Sequence, residues 1–258
     1  MPTISIENIE PPSWSTTLLV DAMYFHAGRK CYEAAKQALK RIDKSRKYFE
    51  KLRNKEAIII ERYDNDIIEA YDKLEPLYIQ MEGAEYRIGA AYGPYLQNIA
   101  ITHILCATSL EAHINNIAKG RLKGKFGDIF EKISLEGKWL FLPKVLGKMT
   151  FNQGSEPFQS FSKLIKYRNQ LIHYKGRSEK WEGFEYEEPK FLEKLGLSLT
   201  EATNSLITVK KMVIEIARLI NIDPPHWLRK GYDDLPDDIT TNFFDVIVER
   251  SSLGKGDI

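Results

Sequence analysis

FQSFSKLIKYRNQLIHYKG, residues 158–176, is the stretch whose reading decides the fold class. Phe158, Phe161, Leu164, Ile165, Leu171 and Ile172 recur at the three- and four-residue steps of a single helical face, and Gly176 supplies the residue type that ends helices. Such a face is stable only against others like it. From Tyr95 to Lys119 the apolar residues Leu96, Ile99, Ala100, Ile104, Ala107, Leu110, Ile114 and Ile117, with His103 among them, predict a broad, strongly buried helix ended by Gly120. Leu199, Ala202, Leu206, Val209, Val213, Ile216 and Leu219 predict a last long helix from about Ser198 to Ile220, stopped by Pro224 and Pro225.

Upstream, the same period runs through Leu18, Ala22, Phe25, Ala34, Ala35, Ala38, Leu39, Ile42, Phe49 and Leu52, with Ser13 or Ser15 available to cap a helix starting near Trp14. A second stripe, Ile59, Tyr63, Ile67, Tyr71 and Leu74, is expected to stop near Pro76. Gly83, Gly89, Gly93 and Pro94 then read as a connection. Short pieces fill residues 120–157, and a polar insertion with Trp181, Phe184 and Tyr186 precedes the last helix. FFDVIV in the tail has β-favouring composition without an evident partner strand. With no repeat and no alternation of strands and helices, the class is all-α: a helical bundle with a long N-terminal helical extension. The expected organisation is a lead-in at 1–13, the extension at 14–88, the bundle at 89–222 and a tail at 223–258.

Composition narrows the functional classes. A formal charge of +1 over 258 residues excludes a globally polycationic binder, so any polyanion must meet a local patch. One exists between Lys36 and Lys55, where nine Lys or Arg face only Asp43 and Glu50, while Glu182–Glu193 and Asp233–Glu249 are acidic. Cys31 and Cys106 lie in apolar segments without metal spacing, His26 and His226 lack companions at ligand spacing, His103 continues an apolar stripe as a core residue and His113 lies off that stripe, so neither a metal nor a cofactor is expected. No run approaches a membrane span, and the first residues lack the basic and apolar regions of a signal peptide; the expected location is cytoplasmic.

The chemistry concentrates in Tyr167–Tyr174, where a guanidinium, an amide and an imidazole interrupt an apolar helix. At about 100° per residue Asn169 and His173 share a face, while Arg168 lies about 140° from His173, so an opposing surface must complete any site. Imidazole titrates near neutrality and can exchange protons with a ribose 2′-hydroxyl or a leaving 5′-oxygen. A guanidinium fork can stabilise the charge that builds on phosphorus during transfer.

RNQLIH, with four residues between arginine and histidine and asparagine directly after arginine, resembles the RxxxxH signature of HEPN domains. SLEAHINNIAK, residues 109–119, resembles that family's earlier core helix, and KISLEGKWLFLPKVLG followed by FQSFSKLIKYRNQLIHYKG resembles the order of its bacterial segments. The resemblance spans roughly residues 95–220. It implies a helical bundle, dimeric through facing signature helices, cleaving RNA without metal in toxin–antitoxin or antiphage systems, with an antitoxin or defence-complex partner. It also implies that Arg168 and His173 are the catalytic pair, that Asn169 is the frequent asparagine after arginine, and that Glu111 is the acidic residue of the earlier helix, orienting Arg168. Some members carry a modifiable tyrosine two positions after the histidine; here Lys175 stands there and Tyr174 comes one position early. Two alternatives remain open at this point. Arg168 could pair with Glu111 while His173 caps its own helix, giving a structural network only, and the domain could be a silent RNA-binding or protein-interaction module.

Overall fold

A computed structural model describes residues 14–63, 66–147, 149–176, 190–228 and 248–252. Seven helices make up nearly all of it: α1 (Val20–Arg62), α2 (Ile67–Ala118), α3 (Lys125–Lys132), α4 (Leu135–Gly147), α5 (Phe158–Ile172), α6 (Lys190–Lys194) and α7 (Leu199–Ile220). The all-α class stands, with one accessory ribbon in which β1 (Trp14–Leu18) pairs antiparallel with β2 (Val248–Ser252), Thr16 opposite Arg250. The first helix therefore begins at Val20 rather than near Trp14, because residues 14–18 are spent on the ribbon. The lead-in at 1–13, the insertion with Trp181, Phe184 and Tyr186, and most of FFDVIV lie outside the described residues.

α1 and α2 form a long antiparallel hairpin. At the start of α2 the Asp66 carboxylate accepts from the backbone N–H of Ile68 at 2.9 Å and of Glu69 at 3.2 Å, satisfying donors that a helix start leaves bare. The break expected between Pro76 and Pro94 is absent: α2 runs through both prolines and through Gly83, Gly89 and Gly93. A proline inside a helix costs about 3 kcal/mol. Leu74 and Leu77 flank the first proline and Ala91 and Tyr95 the second, all buried against α1 or α7, and each large side chain so buried contributes about 1.5–3 kcal/mol. Packing thus overrides the local breakers, and the anticipated boundary at 88/89 falls inside one helix.

The main core gathers Leu110 and Ile114 of α2, Trp139 and Leu142 of α4, Phe158, Phe161 and Leu164 of α5, and Met212, Val213 and Ile216 of α7. α7 matches the sequence reading: Ser198 caps it by accepting from Glu201 N–H at 3.2 Å, and Asn221 closes it in the left-handed region. Beyond it Trp227 is buried, its ring 5.1 Å from that of Phe25, so residues up to 228 belong to the core rather than to a tail.

Two buried polar links fasten α2 to its neighbours. His113 Nδ1 lies 2.7 Å from Asp21 Oδ2 of α1. Burial alone would push the Asp21 carboxyl up, but the hydrogen bond and charge of His113, with nearby backbone N–H groups, hold it below the ordinary range. Nearer the candidate site, His103 Nε2 meets the Gly196 carbonyl at 2.9 Å and its Nδ1 meets Ser205 Oγ of α7 at 2.8 Å. Among the described residues no helix is long and apolar enough to cross a membrane.

Candidate functional site

α5 owes its position to its apolar face. Phe158, Phe161, Leu164 and Ile165 seal it onto α2, α4 and α7, and Lys163 reaches Glu201 of α7 at 2.9 Å. Its other anchor is Tyr167, whose ring lies 5.2 Å from that of His103. The turn before α7 is cut to fit this ring. Gly196 has φ +69, and a Cβ there would stand 2.6 Å from the Tyr167 ring carbons. Only glycine meets both conditions.

The adjoining face of α5 lines an open groove of about 460 Å³, walled by Ser162, Ile165, Lys166, Asn169, Gln170 and His173, with Glu136 entering from α4. A second hollow of about 160 Å³ adjoins it, sharing Gln170 and His173 and adding Tyr174, Lys175, Phe191, Lys194 and Leu195. His173 ends the helix, exposed, its N–H donating to the Asn169 carbonyl at 3.0 Å. The Gln170 Oε1 is buried without a hydrogen-bond donor among the described residues, an acceptor that a ligand's N–H or O–H could satisfy.

Of the four residues expected from the sequence, Asn169 and His173 share this groove. Arg168 is half-buried and lines neither hollow; its Nη1 donates to Asn169 Oδ1 at 3.0 Å, so the guanidinium reaches the groove through its neighbour's amide. No hydrogen bond or ion pair joins Glu111 to Arg168 among the described residues, and the carboxylate at the groove is instead Glu136. Lys166 was legible: Ser162, Lys166, Asn169 and His173 follow the 4-3-4 spacing of one helical face, a polar stripe beside the apolar one. Glu136 was not, since only the folded chain brings α4 beside α5.

Electrostatically, the two hollows collect Lys166, Lys175, Lys194 and His173 around one carboxylate, a setting suited to an anionic ligand. Among the described residues no group of three or more His, Cys, Asp or Glu side chains is placed to hold a metal. Cys106 is buried and Cys31 half-buried; both are free, and burial pushes both thiols up, so neither is a ready nucleophile. No protein-family model, no curated protein and no solved structure matches the chain.

Proposed function

We propose that the α5 groove is the cleavage site of an endoribonuclease of HEPN type. The observation that carries this reading is the placing of exposed His173 in one groove with Asn169 and Lys166, with Arg168 bonded to the same asparagine. In the proposed reaction the 2′-oxygen attacks phosphorus as its proton leaves to a base. The bond to the 5′-oxygen breaks as that oxygen gains a proton, giving a 2′,3′-cyclic phosphate and a 5′-hydroxyl. His173 is the proton carrier, Arg168 and Lys166 balance the phosphorane charge, and Asn169 orients the guanidinium. These side chains supply both proton transfer and charge stabilisation, so the scheme draws on no metal or cofactor. Looped or single-stranded RNA fits best, because a splayed backbone can reach the in-line geometry that attack requires.

Exposed Ile172 and Tyr174 beside the groove favour pairing of two copies through α5, which would bring the second Arg168 and His173 to a shared cleft. A cytoplasmic role in toxin–antitoxin or antiphage defence, held in check by a partner, belongs to the same proposal. One observation favours a second reading, a silent RNA-binding or protein-interaction module: Arg168 is engaged with Asn169 instead of facing the groove. Incubation of the wild type and His173→Ala with total RNA and tRNA in EDTA separates the two. Cleavage by the wild type alone, leaving cyclic-phosphate ends, is the expected result; RNA left intact by a folded wild type refutes the nuclease.

A further inference from the structure

The basic segment of α1 resolves into a pattern that net charge conceals. Lys40, Lys44, Lys47, Lys51 and Lys55 follow one another at steps of four, three, four and four. At about 100° and 1.5 Å per residue their side chains fall within an arc of about 80° along about 22 Å of helix. All five are exposed, and among the described residues none makes an ion pair or hydrogen bond. Asp43 and Glu50, the acids within the segment, lie about 80–100° round from the centre of that arc. Ile42, buried against α2, lies about 180° from the centre of the arc, and buried Leu52 lies about 100° round on the flank away from Asp43 and Glu50, so the lysines point away from the hairpin's own core.

The partner helix carries the opposite sign. Between residues 67 and 88, α2 presents exposed Glu69, Asp72, Glu75, Glu82 and Glu85 against Lys73 and Arg87. The hairpin therefore has a basic row on α1 and a net acidic exposed surface on this part of α2. A polyanion is drawn to the first and repelled by the second, which selects one side for docking. A row of ammonium groups with no aromatic platform suits phosphates rather than bases. Tyr48, the nearest exposed ring, is committed elsewhere, its hydroxyl donating to Gln80 Oε1 at 2.8 Å with Arg87 over its face.

We propose that this lysine row is a docking track for the phosphate backbone of RNA, outside the groove and without base preference. The choice of RNA as the polyanion rests on the functional reading above; the binding does not depend on the chemistry there. In the test, full-length His173→Ala, which cannot consume the probe, binds a labelled single-stranded RNA of mixed sequence, read by anisotropy between about 50 and 200 mM KCl. Lys44→Gln/Lys47→Gln/Lys51→Gln in the same background removes three charges and keeps helix propensity.

The expected result is at least tenfold weaker binding at the lowest salt, and a log–log salt slope shallower by about 2, the share of three phosphate contacts on a single strand. Unchanged affinity and slope, or no binding by the parent protein, overturns the proposal. So does a change of oligomeric state in the triple variant on size-exclusion chromatography, since the row would then serve a protein contact. Binding with these slopes alongside an inactive wild type sinks the nuclease and supports the track. Cleavage together with a triple variant of unaltered binding does the reverse.

Discussion

His103 Nε2 lies 2.9 Å from the carbonyl oxygen of Gly196, a contact made deep in the protein between α2 and the turn that launches α7. That carbonyl can only accept, so a proton sits on Nε2, while Nδ1 lies 2.8 Å from Ser205 Oγ, whose hydroxyl also lies 3.0 Å from the Glu201 carbonyl. Burial lowers the imidazole pKa, with the Gly196 bond and the Glu201 charge opposing it only in part. Because the folded form binds its proton less readily than the unfolded chain, this histidine's contribution is fully present above about pH 6.5 and fades as pH falls below that value. The urea midpoint should drop between about pH 7 and 5.5, and His103→Gln should flatten that drop while lowering stability throughout. An equally steep drop in the variant would assign the titration to another group.

Gly196→Ala should be among the most damaging single-methyl additions in the chain. The left-handed φ costs about 1 kcal/mol or more for a non-glycine residue, and overpacking against Tyr167 adds about 1–3 kcal/mol. Thermal unfolding should report a loss of about 2–4 kcal/mol by these two costs together. Tyr167→Leu in the same background should recover part of it, because the clash is with the ring.

Arg168 and His173 should separate kinetically. His173→Ala removes proton transfer and should cut kcat by about 10²–10⁴. Arg168→Lys keeps the charge but loses the planar fork, and a fall of about tenfold or more in kcat at unchanged KM is expected if the guanidinium touches the phosphorane. A fully active Arg168→Lys would confine the arginine to holding Asn169.

Pro94→Ala restores an N–H donor in mid-helix and should raise the melting temperature, the gain staying below about 3 kcal/mol because the proline also restricts the unfolded chain. A lower melting temperature would mean that the proline fits a bend the hairpin requires.

How much of this was legible follows from where each signal resides. The apolar stripes of α5 and α7, the Ser198 cap and the polar cluster from Arg168 to His173 are local, and local periodicity survives folding unchanged. The hairpin was misread because Pro76, Gly89, Gly93 and Pro94 are local breakers defeated by a distant cause, burial against α1. The start of α2, by contrast, sat at Asp66, whose capping role the unbroken run of Ile59, Tyr63 and Ile67 obscured. The groove divides the same way. Lys166 stands in register with His173 on one helix, while Glu136 comes from another element, so no spacing along the chain could announce it.

α2 spans 52 residues, about 78 Å at 1.5 Å per residue, and passes from the hairpin tip into the main core without a joint. Mechanically it is a beam clamped at one end. The clamp includes His103, which touches Tyr167 on the helix that carries the groove. A load at the tip, where Ile67, Ile68 and Tyr71 stand exposed, travels along one continuous helix, past Pro76 and Pro94, before it reaches that clamp.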